Sequence, residues 1–188
     1  QEDMVRDLLR QAKLQQFQSI VMGGHTVARE RACAQLQPYH VAQECVGGYA
    51  YYNWLRTQDN DWNYGALTET LTTLYRRAVN GAALTLSLTG RDAGAEILAK
   101  GAEALPREKA PVCDEILKPW GLRREGIAIP ADIAFAARMG VLGQYSGQVA
   151  LATKILDLSY LWNVIRVRQG AYGCGALAGE NGSVLCYS

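Results

Sequence analysis

Histidine is scarce in this sequence of 188 residues, which contains only His25 and His40. Neither histidine stands in an H-x-x-E-H pattern, and the two alone cannot supply the ligands of a zinc site at that spacing. The sequence also lacks a G-x-S-x-G nucleophile elbow and a phosphate-binding glycine loop. These absences exclude a metal, serine-nucleophile or nucleotide site built from the known motifs.

An excess of charge of one sign is also lacking, because the net charge is only +1. No nucleic-acid partner is therefore expected. No apolar run approaches the roughly 18 residues that a membrane span needs, so no membrane partner is expected either. The five cysteines include no C-x-x-C pair, and their odd number argues against a disulfide framework. Small buried thiols in a reducing, cytoplasmic compartment are the favoured interpretation.

Apolar residues are plentiful, at 49% of the sequence, which is enough for a real core. Their spacing predicts helices early in the chain and antiparallel strands late, which indicates an α+β fold. The predicted helices cover residues 3–22, 25–35, 40–58, 66–80, 94–105 and 147–166. The predicted strands cover residues 82–89, 126–130, 133–138, 171–177 and 183–187, the last two joined by a turn at Asn181-Gly182. A Pro-, Lys- and Glu-rich linker is predicted over residues 106–119.

The most informative stretch is Tyr160-Leu-Trp-Asn-Val-Ile-Arg-Val-Arg-Gln-Gly-Ala-Tyr-Gly173. It passes from an amphipathic helix through a glycine-containing turn into a strand. Arg166 offers fixed, always-charged donors, and the Tyr172 hydroxyl can donate to a carbonyl. The pair could thus hold a peptide backbone. The alternative is an ordinary helix-to-strand turn with a surface arginine and a packed tyrosine.

This stretch resembles the C-terminal half of the pitrilysin/insulinase-type zinc metallopeptidases, and in particular their presequence-protease branch. The resemblance is carried by Leu161-Trp162, Arg166, Gly170-Ala171-Tyr172-Gly173 and the terminal Tyr187-Ser188. Gln169 stands where the first of two paired glycines is usual, so the resemblance does not fix the conformation of the turn. A second match precedes it in the usual order and resembles the third quarter of the same proteins: Gly24-His25, Ala28, Arg31-Ala32, Leu36, Pro38, Gln43-Glu44 and Gly48.

The resemblance implies a clasp of four related α+β quarters in two halves. Residues 1–118 would be the end of the third quarter plus a linker, and residues 119–188 the truncated start of the fourth. It also implies that Arg166 and Tyr172 are auxiliary catalytic residues that contact the substrate or transition state. Gly170, Ala171 and Gly173 would border the substrate. Zinc would be bound in the parent protein, outside this chain, with no metal ligand here.

The predicted function is therefore the substrate-contacting, C-terminal part of a zinc metalloendopeptidase that degrades unstructured peptides, the piece itself being non-catalytic. A non-catalytic scaffold or peptide-binding relative of the same fold is the alternative. The expected partners are a peptide substrate and the missing N-terminal half of the same polypeptide. Because residues 183–188 end in mid-strand, the sequence is expected to be a fragment that self-associates through unpaired strand edges.

Overall fold

A computed structural model describes residues 1–90, 93–107 and 117–188. The chain divides into two compact units. Unit 1 contains the described residues 1–60 and 117–188, and unit 2 contains those between 61 and 107. Unit 1 is therefore discontinuous in sequence. The boundary between family quarters at residues 118 and 119 stays a prediction.

Two helices open unit 1 where the apolar spacing predicts them. α1 spans Glu2–Met22 and α2 spans Gly24–Ala34. α1 ends at Gly23, whose N–H donates to the Ser19 carbonyl at 2.8 Å. α2 starts with a residue that must be glycine, because a Cβ at Gly24 would overlap the ring of Phe135.

The helix predicted over residues 40–58 is two helices, α3 at Pro38–Gly47 and α4 at Tyr49–Asn60. The chain is extended at Gly48, with φ −94° and ψ −161°. A Cβ at this position would overlap the Glu44 carboxylate, which turns back from α3. The carboxylate also accepts the N–H of Ala50 at 3.1 Å and so caps the first turn of α4. The glycine pair therefore marks a helix break rather than a close helix–helix contact.

A three-stranded antiparallel sheet packs against α2. Its strands are β1 (Ala137–Val141), β2 (Gly175–Ala178) and β3 (Ser183–Tyr187), in the order β1-β3-β2. The predicted hairpin at Asn181-Gly182 is confirmed, and Gly182 has the positive φ of +76° that its turn requires. Buried Cys33 of α2 and Leu185 of β3 belong to one core cluster with Ala32, against which Ala137 and Met139 pack. This combination of helices and antiparallel sheet confirms the α+β class.

Two of the predicted strands are wrong, and two others are only partly strands. Of residues 171–177 only the last three lie in β2. The segment predicted as a strand over residues 82–89 starts in a 3₁₀ turn, Gly81–Ala83, and its remaining residues belong to no strand among the described residues. Residues 126–130 are likewise irregular, and of residues 133–138 only the last two lie in β1. Alternation of apolar residues shows that a segment could be a strand. It does not supply the partner strand whose hydrogen bonds would make it one.

Unit 2 contains α5 (Tyr64–Ala78) and α6 (Ala93–Glu103). The Asn63 side chain caps α5 by accepting the Ala66 N–H at 3.0 Å. Leu67 is buried, whereas Leu71, Leu74 and Tyr75, which the apolar spacing places inward, are exposed in the described chain. Much of the predicted linker, residues 108–116 with Cys113 and the Asp114-Glu115 pair, lies outside the described residues.

The helix predicted over residues 147–166 begins as α7 (Gly147–Ile155) and continues as a π-helix, Leu156–Arg168. The apolar spacing of this helix predicts an inward stripe of Leu151, Ile155, Leu158, Trp162 and Ile165. The prediction is wrong for the first four, which are exposed, whereas Ile165 is partly buried. Thr153 is buried instead, and α7 packs against β2. In the described part of the chain, no helix combines the length and apolarity that a membrane span demands.

Candidate functional site

The turn that ends the π-helix is held by its own backbone. The N–H of Gly170 donates to the Arg166 carbonyl, and the N–H of Ala171 donates to the Ile165 carbonyl, both at 3.1 Å. Gly170 has φ +75°, a left-handed conformation that favours glycine. Gln169 has φ −98° and ψ −4°, and this negative φ does not require glycine. One glycine therefore suffices here, and the glutamine departs from the family pattern at a position that tolerates it.

Arg166 lies in the last turn of the π-helix and is exposed. Its Cζ atom is 4.1 Å from the centroid of the Trp162 ring, which is a close cation–π contact. A cation at this end of a helix is also favoured by the helix dipole. The guanidinium is thus fixed by a ring while it remains open to solvent.

Tyr172 follows two residues after Gly170 and is 91% exposed. This exposure contradicts the alternative of a packed core tyrosine. Its hydroxyl is free to meet another molecule, and no hydrogen bond in the described chain joins the Tyr172 and Arg166 side chains. The structure therefore places the two predicted site residues on one turn, both facing solvent.

The remaining predicted site residues leave the backbone of this turn accessible. A Cβ at Gly170 or Gly173 would meet no atom within 4 Å, so both glycines face open space. Ala171 is partly buried between them. The Gly173 carbonyl accepts the Ser188 hydroxyl at 3.1 Å, which ties the turn to the end of β3. The arrangement can present main-chain groups and two polar side chains to an extended ligand.

A second polar centre, around Arg31 of α2, is partly buried and structural. Its Nη1 donates to Glu44 Oε2 at 2.7 Å, and its Nε pairs with Glu125. Burial by itself lowers the pKa of Arg31, but the hydrogen bonds to Glu125 and Glu44 outweigh it and raise that pKa. Glu44 is fully buried, at 0% exposure. The pairing therefore fastens α3 and the segment near residue 125 to α2.

Trp120 extends this centre. Its ring centroid lies 4.7 Å from Cζ of Arg31 and 4.7 Å from Cζ of Arg123, and Arg123 Nε pairs with Glu125 Oε2 at 3.0 Å. Sequence reasoning missed this cluster, since Arg31 and Glu125 are far apart in the chain. Trp120 and Glu125 lie close to Arg123 in the sequence, but this spacing is only a weak indication of the cluster.

The cysteines and histidines do not form a reactive or metal site in the described structure. Cys33, Cys45, Cys174 and Cys186 are free thiols, and burial raises the pKa of Cys33 to about 11. The ring of His25 is tilted by 49° against that of Phe135, with the ring centroids 6.2 Å apart, and His40 Nδ1 lies 2.6 Å from Glu30 Oε2. No group of three potential ligands occurs among the described residues. The zinc that the resemblance implies would lie outside this chain, and that expectation stays a prediction.

Part of this chain is similar to a known protein family. Residues 1–57 match the model of the peptidase-associated family that accompanies subfamily C of the M16 peptidases. Over these residues the chain is therefore similar to a segment associated with M16 peptidases, which agrees with its resemblance to the presequence-protease branch. The match covers α1 to most of α4, and the turn with Arg166 and Tyr172 lies outside it.

Two curated relatives extend the similarity beyond this segment. Protein HypA of Clostridium perfringens (strain 13 / Type A) is 22% identical over 178 residues, which is 91% of this chain and 18% of the relative. Presequence protease 1, chloroplastic/mitochondrial, of Arabidopsis thaliana is 27% identical over 166 residues, 80% of this chain and 15% of the relative. The chain thus spans less than a fifth of the length of these relatives.

Proposed function

We propose that this chain is the substrate-contacting, C-terminal part of a zinc metalloendopeptidase that degrades unstructured peptides, and that it is not catalytic by itself. The observation that carries the proposal is the exposure of Arg166 and Tyr172 on one turn. The relation to M16 peptidases and the similarity to a presequence protease support it. The zinc and the N-terminal half would belong to the longer polypeptide that the proposal requires.

The chemistry assigned to the turn is donation of hydrogen bonds. Arg166 offers guanidinium N–H groups, and Tyr172 offers one hydroxyl, to carbonyl oxygens of a bound peptide. A donor aimed at an oxygen that gains charge during the reaction stabilises the transition state more than the ground state. Accessible backbone at Gly170 and Gly173 gives an extended peptide room to approach. No step through zinc is assigned to this chain.

The proposal is tested by replacing Tyr172 with phenylalanine in the longer protein. The change removes one hydroxyl from a side chain that is 91% exposed, so folding stability should not change. If the hydroxyl donates in the transition state, kcat on a quenched peptide should fall by about 10²-fold, the scale of a lost oxyanion donor. Tyr160→Phe is the matched control, because Tyr160 is an exposed tyrosine earlier in the π-helix. An unchanged kcat/KM in the Tyr172 variant would reject the assigned role.

The chain alone provides a complementary test. It is expected neither to hold stoichiometric zinc nor to cleave the quenched peptide, and chelator-sensitive hydrolysis would contradict this. Reading the longer sequence for H-x-x-E-H separates the enzyme from its alternative. A parent without that motif would leave a peptide-binding or scaffold relative.

A further inference from the structure

We propose that Trp162 is a positioning residue that presents the Arg166 guanidinium to the peptide. This inference rests on the proposed function, in which Arg166 contacts the substrate. Trp162 precedes Arg166 by four positions on the same helical segment, and the centroid of its ring lies 4.1 Å from Cζ of Arg166. Trp162 is 43% exposed, so the ring lies at the surface and not in the core.

The stack leaves the hydrogen-bonding edge of the guanidinium free. A ring contacts the flat face of the group, whereas the N–H donors point outward in its plane. Arg31 and Arg123 also stack on a tryptophan, but their donors pair with carboxylates. Within the described residues, no hydrogen bond or ion pair to the Arg166 guanidinium is present. Arg166 therefore combines a fixed orientation with unused donors, which is what recognition of a ligand requires.

The backbone supplies the second half of this arrangement. The Gly170 N–H donates to the Arg166 carbonyl and fixes the position of the main chain from which the side chain extends. Fixing a flexible arginine at a contact costs about 0.5–1.5 kcal/mol when it is immobilised only by the ligand. The Trp162 ring already restricts the Arg166 side chain before the peptide binds, so less of this cost remains. Loss of the Trp162 ring should therefore weaken peptide binding only when Arg166 is present.

A double-mutant cycle tests this dependence. Binding of a fluorescein-labelled, unstructured peptide to the whole 188-residue chain is measured by anisotropy for wild type, Trp162→Leu, Arg166→Gln and the double variant. Trp162→Leu should weaken binding by about 3-fold, the scale of an exposed cation–π contact. In the Arg166→Gln background the same change should have no further effect. Trp162→Phe retains a ring and should restore most of the affinity.

Two results would overturn the inference while leaving the proposed function intact. One is that Trp162→Leu lowers peptide affinity equally in the wild-type and the Arg166→Gln backgrounds. The other is full affinity in Trp162→Leu when Arg166→Gln binds weakly. If Arg166→Gln itself binds like wild type, while the control Arg168→Gln also does, the proposed contact and the positioning role both fail. An NMR readout covers a variant that folds poorly: the Arg166 Nε–H resonance should show a ring-current shift in wild type and in Trp162→Phe, and its absence in both refutes the stack.

Discussion

Glu44 should contribute more to stability than any exposed carboxylate of unit 1. It is fully buried, and its Oε2 accepts from Arg31 at 2.7 Å and from the Ala50 N–H at 3.1 Å. Glu44→Ala removes both bonds, uncaps α4 and leaves a void beside Gly48. Breaking a buried ion pair from one side costs about 3–5 kcal/mol. We expect the lower end, about 3 kcal/mol by the same comparison, because Arg31 keeps Glu125 as a partner.

Glu44→Gln separates charge from shape. The amide retains an oxygen that can accept both bonds, so it loses chiefly the charge-assisted part, about 1–2 kcal/mol. The assay is urea unfolding followed by tryptophan fluorescence, since three of the four tryptophans, Trp54, Trp120 and Trp162, lie in unit 1. With a slope of about 2 kcal/mol/M, the alanine variant should lower the midpoint by about 1.5 M.

Asp157→Asn is the matched control for Glu44. Asp157 pairs with Lys154 at 3.4 Å on the surface of the molecule, and an exposed pair contributes at most about 1 kcal/mol. The reasoning is refuted if Glu44→Ala changes the free energy of unfolding by no more than Asp157→Asn does. It is also refuted if the glutamine variant loses as much stability as the alanine variant.

Three further predictions concern the site, pH and association. Gly170→Ala forces a left-handed φ on a residue with a Cβ and should cost about 1–2 kcal/mol in urea unfolding, whereas Gly173→Ala should cost much less; equal losses would contradict this. The pKa of Asp59 is lowered chiefly by its hydrogen bond to a lysine of α1, so this stabilisation is present above the ordinary aspartate pKa and is lost as pH falls through the lowered value. Asp59→Asn should remove that acid-range component from plots of unfolding midpoint against pH, and parallel curves would refute it. Finally, β1 and β2 each keep one unpaired edge within the described sheet, so the chain should self-associate, and Leu177→Lys on β2 should reduce this in sedimentation; a monomer at all concentrations would contradict the prediction.

Features with local signals could be predicted from the sequence. α1 ends at Gly23 because a glycine follows the last apolar position, and the β2–β3 hairpin turns at Asn181-Gly182 because that pair suits the turn. Arg166 and Tyr172 could be predicted as a pair because they lie only six positions apart, on either side of one turn. The contact between Trp162 and Arg166 was not predicted, although their four-residue spacing is a local signal for it.

Features that depend on distant residues could not be predicted. The break at Gly48 requires knowing that Glu44 folds back into the space beside it, and the apolar pattern across residues 40–58 continues through the break. The alternation of residues 82–89 looks like a strand, yet no neighbouring strand pairs with it in the described chain. The outward direction of Leu151 and Leu158 follows from which side of the helix the sheet occupies, which periodicity alone cannot decide.

The discontinuity of unit 1 has a consequence for the order of folding. Gln37 Nε2 donates to Ser183 Oγ at 3.1 Å across 146 positions, and Cys33 shares its core cluster with Leu185. During synthesis α2 leaves the ribosome long before β3 exists, so the side of α2 that packs on β3 stays uncovered by that strand until residues 183–187 have been made. Closing such long loops slows folding. We therefore expect α2 to need protection by a chaperone while β3 is still being translated.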